Sequence, residues 1–160
     1  MGDKKGDALK PEGEISRREL LQKLSPLGKV HLDAASCTGC GLCALECPTR
    51  ALTIAFRENT DVFELLFKHG LCVGCNLCAD ICPEKCLRLE RVLKPAEMNR
   101  PQRLFRDTIV RCPECGKPVG PKAMVEKLRS RMGNALPSLT RQAELCPECK
   151  ASAYAGQLKV

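Results

Sequence analysis

The sequence predicts an α+β protein made of two similar strand–loop–helix–strand units, an N-terminal helix and a small C-terminal unit. Three observations lead to this prediction: thirteen cysteines among 160 residues, a cysteine-rich segment that occurs twice, and two more cysteine pairs near the C-terminus. Aromatic residues make up only 3% of the chain, so a large aromatic core is excluded and the cysteines must stabilise the fold in its place. No stretch approaches the ~20 apolar residues of a membrane span.

The cysteine count also indicates the compartment. Thirteen is an odd number, so complete disulfide pairing within the chain is impossible, and closely spaced cysteines in a reducing compartment bind metal instead. Residues 16–21 resemble a twin-arginine export signal, but the apolar stretch that should follow is missing. A capped helix from about Arg17 to Leu24 is the favoured alternative. We therefore expect a cytoplasmic protein whose residues 1–28 form a disordered tail and a short helix.

The cysteine-rich segment occurs twice at an offset of 35 residues. The first repeat, residues 37–48, and the second repeat, residues 72–83, both read C-x2-C-x2-C-x3-C-P. Apolar segments precede and follow each repeat, as expected for strands that flank a loop and a short helix. The predicted strands are Val30–Leu32, Leu52–Phe56, Val62–Phe67 and Leu87–Val92.

This spacing is the one used by bacterial proteins that bind 4Fe–4S clusters, in which the fourth cysteine of each run ligates the other cluster. Zinc is disfavoured because its sites join two pairs of ligands, not three cysteines at every third position. Cluster I is predicted at Cys37, Cys40, Cys43 and Cys82. Cluster II is predicted at Cys72, Cys75, Cys78 and Cys47.

Residues 29–94 resemble the bacterial-type two-cluster ferredoxin family, because both cysteine motifs match cysteine for cysteine. The resemblance implies a ferredoxin-like (βαβ)2 domain with pseudo-twofold symmetry that carries single electrons between enzymes or subunits. Cys86 lies outside the eight matched ligands and is expected to fill space beside a cluster. His31 and His69 are expected at the surface or in loops.

A linker is predicted at residues 95–107, because this segment is rich in arginine and contains two prolines. The unit that follows, residues 108–160, contains a predicted helix, Lys122–Met132, between two C-P-x-C pairs. These pairs resemble a zinc ribbon, and four thiolates in two pairs suit tetrahedral Zn²⁺. A third 4Fe–4S cluster and a single iron ion are the alternatives. The predicted ligands are Cys112, Cys115, Cys146 and Cys149.

The predicted function is electron transfer by a protein without substrate chemistry of its own. The sequence contains no nucleotide-binding fingerprint and no catalytic set, so no catalytic residues are predicted. We expect an iron–sulfur subunit of a cytoplasmic oxidoreductase complex, with a larger redox subunit or a soluble carrier as partner. The net charge of +7 leaves nucleic-acid association as a second hypothesis. It is disfavoured because anionic clusters and a zinc tetrathiolate would offset most of that charge.

Overall fold

A computed structural model describes residues 28–57, 60–135 and 137–157. The predicted N-terminal tail and helix lie outside these residues. The described residues contain six strands: β1 (Gly28–Leu32), β2 (Leu52–Arg57), β3 (Val62–Phe67), β4 (Leu87–Arg91), β5 (Gln102–Arg111) and β6 (Pro118–Pro121). The α-helices are α1 (Leu42–Leu45), α2 (Leu77–Asp80), α3 (Lys122–Ala135) and α4 (Pro147–Gln157). Short 3-10 helices cover His69–Leu71, Pro95–Glu97 and Pro137–Glu144.

The first four strands form two antiparallel pairs, and the cysteine-rich loops connect one pair to the other. β1 pairs with β4, with Val30 opposite Leu89, and β2 pairs with β3, with Leu52 opposite Phe67. Each cysteine-rich loop, with its one-turn helix, therefore runs from one pair to the other. The four strands predicted from sequence are confirmed to within two residues at each end, and the protein is of mixed α+β class.

The segment after β4 differs from the sequence-based expectation. The sequence predicts a linker over residues 95–107, but Gln102–Arg111 forms one continuous strand, β5, which pairs with β3. The sheet order is β2-β3-β5-β6. The strand is hard to recognise because half of its ten residues are charged or amide-bearing, and its register against β3 shifts at Leu65/Leu66. Pairing to a partner strand stabilises it where its own composition does not.

The main core lies between the two strand pairs and the cysteine-rich loops. Phe63, Leu65 and Phe67 alternate along β3 and all point inward, as expected for a strand with one buried face. Four buried cysteines pack into the same core as small apolar side chains, and Phe105 of β5 joins them. The buried cysteines in this core are Cys43, Cys72, Cys82 and Cys86, with Cys37, Cys47 and Cys78 partly buried against it.

The C-terminal unit has a much smaller apolar core. Its buried residues are Cys112, Leu145 and Cys146, with Val119 packed against them. So few apolar residues cannot stabilise a unit of this size without help, which is the situation in which small domains use a metal. None of the helices in the described part of the chain is long and apolar enough to cross a membrane.

A partly buried ion pair fastens the segment between β4 and β5 to the first strand. Lys29 donates through Nζ to both carboxylate oxygens of Glu97 at 3.0 Å, and Gln102 donates to Glu97 Oε2 at 2.7 Å. The hydrogen bond from Gln102, followed by that from Lys29, holds the pKa of Glu97 below its ordinary value of 4.5. Both contacts favour the ionised carboxylate, so protonation of Glu97 weakens the fold.

We expect Glu97→Gln to lower the urea midpoint of unfolding at pH 7. A group with a lowered pKa stabilises the fold above its unfolded value and loses that contribution as the pH falls through its folded value. The difference between Glu97→Gln and wild type should therefore shrink below pH 4.5. Urea titrations at pH 7 and pH 4 measure it. Glu126→Gln, at an exposed pair with Lys122, serves as control, and an equal effect of both variants contradicts the prediction.

Candidate metal centres

A first cavity lies beneath the loop of the first repeat. Its lining includes all three leading cysteines of the first repeat and the last cysteine of the second repeat. These are Cys37, Cys40, Cys43 and Cys82. Phe63 and Leu65 of β3 close its floor, and Glu84 lies at its rim. Sequence reasoning did not assign Phe63 and Leu65 to the site, because β3 and the loop of the first repeat are distant along the chain.

A second cavity has the reciprocal composition. It is lined by the three leading cysteines of the second repeat and by the last cysteine of the first repeat, namely Cys72, Cys75, Cys78 and Cys47. Val30, Leu52, Phe67 and Leu89 provide apolar walls. Space not filled by atoms amounts to about 370 Å³ in the first cavity and about 330 Å³ in the second, part of it open to solvent. Each cavity therefore draws cysteines from both repeats.

The two loops share an unusual backbone path. Positive φ angles occur at Gly39, Gly41 and Arg50 in the first repeat region, and at the positions 35 residues later, Gly74, Asn76 and Lys85. Asparagine tolerates this left-handed conformation better than other side chains do, which explains how Asn76 replaces a glycine. At Gly39 the turn aims a backbone N–H at the Cys37 sulfur, 3.4 Å away. Such N–H donors stabilise a thiolate once a metal is bound.

Burial keeps the third cysteine of each repeat protonated when no metal is present. It raises the pKa of the Cys43 thiol to about 12 and that of the Cys78 thiol, at the equivalent position, to about 11. Neighbouring cysteine sulfurs raise both values further. A thiolate at these positions therefore needs a cationic partner, and metal binding must release protons.

Cys86 and His69 are buried groups for which the sequence predicts no ligand role. Cys86 lines the first cavity, and its sulfur is 3.5 Å from that of Cys82. His69 is fully buried and not at the surface, but it lies in the connection between β3 and the second repeat, as one of the two predicted alternatives had it. Its Nε2 accepts a hydrogen bond from the Lys94 backbone N–H at 3.0 Å, so it fastens the segment after β4 to the segment before Cys72. His31 is exposed as predicted and pairs with Glu90.

The C-terminal cysteines form a separate and much more compact group. The sulfurs of Cys112, Cys115, Cys146 and Cys149 all lie within 4.8 Å of one another. Cys112 and Cys115 occupy the turn between β5 and β6, where Gly116 donates its N–H to the Cys112 carbonyl at 2.8 Å. The second pair lies at the start of helix α4, whereas a ribbon-like unit would place it in a second β-turn. The resemblance of this unit to a zinc ribbon therefore stays a prediction, with Cys149 inside the first turn of a helix.

The electrostatics of this group favour a bound cation. Burial alone would raise the pKa of Cys112, but backbone N–H donors outweigh it and lower the pKa to about 6. The hydrogen bond with Cys115 acts in the opposite direction on Cys149, whose pKa is raised. Four sulfurs in such proximity cannot all ionise without a counter-charge. A divalent metal provides that charge and deprotonates its thiol ligands.

Comparison with known protein families supports the chemistry of the first repeat. Residues 30–53 match the 4Fe-4S binding domain family. This range contains Cys37, Cys40, Cys43 and Cys47, and the second repeat lies outside it. The match supports an iron–sulfur domain of ferredoxin type with at least one 4Fe–4S cluster, a kind of domain typical of electron carriers. No curated protein matches the chain.

Proposed function

We propose that this protein carries single electrons through two 4Fe–4S clusters, as the iron–sulfur subunit of a cytoplasmic oxidoreductase complex. Cluster I would be held by Cys37, Cys40, Cys43 and Cys82. Cluster II would be held by Cys72, Cys75, Cys78 and Cys47. The observation that carries the proposal is the lining of the two cavities, in which three cysteines of one repeat meet the fourth cysteine of the other.

The spacing of the sulfurs supports clusters over single ions in these cavities. A tetrahedral ion with metal–sulfur bonds of about 2.3 Å brings its four sulfurs to about 3.8 Å from one another. Among the residues that the structure describes, only the C-terminal four form such a compact group. The eight cysteines of the repeats do not form a group this compact, and they line two cavities with apolar walls. A cubane fits this arrangement because each thiolate binds a different iron atom.

The same argument supports zinc in the C-terminal unit. The C-terminal four lie within 4.8 Å of one another, and the sulfurs of Cys115 and Cys146 are 3.5 Å apart. This is close to the spacing of about 3.8 Å that a zinc tetrathiolate requires, and it supports zinc over a third cluster. We infer that these four cysteines hold one structural Zn²⁺.

The chemistry proposed for the protein is electron exchange, and no residue needs to act on a substrate. A bound cluster supplies the redox centre, while the protein sets its potential through burial and N–H···S hydrogen bonds such as that from Gly39 to Cys37. Cys40 and Cys75 are the exposed members of the two sets, so each cluster would approach the surface at these positions. A redox partner would exchange electrons there.

Metal analysis of anaerobically purified protein tests this proposal. We expect about eight irons and one zinc per chain, with the charge-transfer absorption of 4Fe–4S clusters that bleaches on reduction. About twelve irons without zinc would instead indicate a third cluster in the C-terminal unit. Zinc alone, without iron, would refute the electron-transfer function.

A further inference from the structure

We propose that the C-terminal unit positions the loop of cluster I and leaves cluster II unaffected, with Phe105, Pro121 and Lys127 as the positioning residues. The inference rests on the proposed function, because it requires both clusters. It assigns a redox role to a part of the chain that lies outside the cluster-binding repeats and contributes no cluster ligand.

The first contact is made by strands β5 and β6 on the backbone of the first repeat. Gly39 is buried, and a Cβ at this position would lie 2.9 Å from Phe105 Cε1 and 3.0 Å from Pro121 Cγ. The N–H of the same glycine points at the Cys37 sulfur. Phe105 also packs edge-on against Phe63, with ring centroids 6.2 Å apart, and Phe63 lines the first cavity. Any shift of β5 or β6 therefore moves a hydrogen-bond donor to a cluster ligand.

The second contact is an ion pair between helix α3 and the rim of the same cavity. Lys127 of α3 pairs with Glu84, which lines the first cavity two residues after Cys82. The Glu84 side chain is only 13% exposed, so the pair is better shielded from water than the other pairs on this helix. The N-terminus of α3 is attached to β5, because the Asp107 carboxylate accepts a hydrogen bond from the Ala123 N–H at 2.8 Å.

The proposed C-terminal metal site is connected directly along the chain to the strands that make the first contact. Cys112 follows the last residue of β5 directly, and β6 begins at Pro118, after the turn that carries Cys115. Arg111 joins this turn to the sheet, since it donates to the Gly116 carbonyl at 2.9 Å and to Asp61 at 2.6 Å. A metal that fixes the turn thus fixes the two strands that contact Gly39.

The second cavity lacks this support. No described residue of β5, β6, α3 or α4 lines either cavity, but the side-chain contacts described above reach Gly39, Phe63 and Glu84, which all line the first cavity. Strand β5 meets the second cavity through the backbone pairing of Gln102 with Phe67. The two clusters would have similar ligands and similar apolar walls, yet only one would be covered by the C-terminal unit. Cluster II therefore serves as a control within the same molecule.

The test compares Lys127→Gln with wild-type holoprotein. Hyperfine-shifted β-proton signals of the three leading cysteines of each repeat, assigned in the NMR spectrum, report the two clusters separately. In air-saturated buffer, we expect the signals of cluster I to disappear about threefold faster in Lys127→Gln, as expected for the loss of one shielded ion pair. The signals of cluster II should disappear at the wild-type rate. The midpoint potential of cluster I should shift, whereas that of cluster II should not.

Lys122→Gln is the matched control, because Lys122 lies on the same helix but pairs with exposed Glu126. It should change neither cluster. A second variant, Cys149→Ser, removes a C-terminal metal ligand and should also destabilise cluster I selectively. If Lys127→Gln and Cys149→Ser affect both clusters equally, or neither, the inference is overturned. A wild-type protein without two clusters would instead refute the proposed function, before any variant is compared.

Discussion

Replacing Cys47 with serine should remove the cluster of the second repeat, although Cys47 belongs to the first. The iron content should fall from about eight to about four per chain, because the three remaining ligands of cluster II cannot hold four irons firmly. The physical reason is the placement of Cys47, which lines the second cavity together with Cys72, Cys75 and Cys78. Iron analysis and the repeat-specific NMR signals measure the loss.

The matched control is Cys86→Ser. Cys86 is another buried cysteine, and it lines the first cavity beside Cys82, but it is not among the eight proposed ligands. This variant should keep about eight irons. Disappearance of the first-repeat signals in Cys47→Ser, with those of the second repeat retained, would show that the repeats do not exchange ligands. A loss of four irons in Cys86→Ser would place that thiol among the ligands.

The second large effect is expected at Gly39. Alanine at this position pays for its positive φ of 68°, which costs about 1 kcal/mol. Its Cβ would also press on Phe105 and Pro121, at 2.9 Å and 3.0 Å, and overpacking of this kind costs about 1–3 kcal/mol more. We expect Gly39→Ala to lower the apparent free energy of unfolding by about 2–4 kcal/mol in anaerobic urea titrations.

Gly116→Ala separates the backbone cost from the packing cost. Gly116 has nearly the same φ, 73°, but a Cβ there would meet no atom within 4 Å. Only the backbone cost of about 1 kcal/mol should remain. The difference between the two variants measures how tightly β5 and β6 press on the loop of the first repeat. Equal losses would mean that this contact is loose.

Much of the iron–sulfur region could be predicted because its signals are local. Glycine and cysteine at fixed offsets describe the loops, and β-branched and aromatic residues describe the strands that flank them. The offset of 35 residues even predicts equivalent backbone conformations, as the shared positive φ angles at Gly39 and Gly74 show. The placement of all four C-terminal cysteines in one group is also confirmed.

The features that the sequence did not predict depend on contacts with residues that are distant along the chain. β5 forms on the edge of β3, and nothing in its arginine-rich sequence indicates that edge. The burial of His69 follows from the segment around Lys94, 25 residues later. The start of α4 at the second cysteine pair is likewise set by packing and not by a strong local pattern, since alanine, serine and glycine alternate along it. The division into domains at residues 29–94 and 108–160 stays a prediction.

The pairing of β1 with β4 has a consequence for synthesis. His31 of β1 and Glu90 of β4, whose side chains are hydrogen-bonded across this pair, are 59 positions apart. Strand β1 therefore cannot pair with β4 until nearly all of the second half of the domain has left the ribosome. Closing so long a loop is slow, so the newly made chain must wait, with its thiols accessible, before the two halves can join.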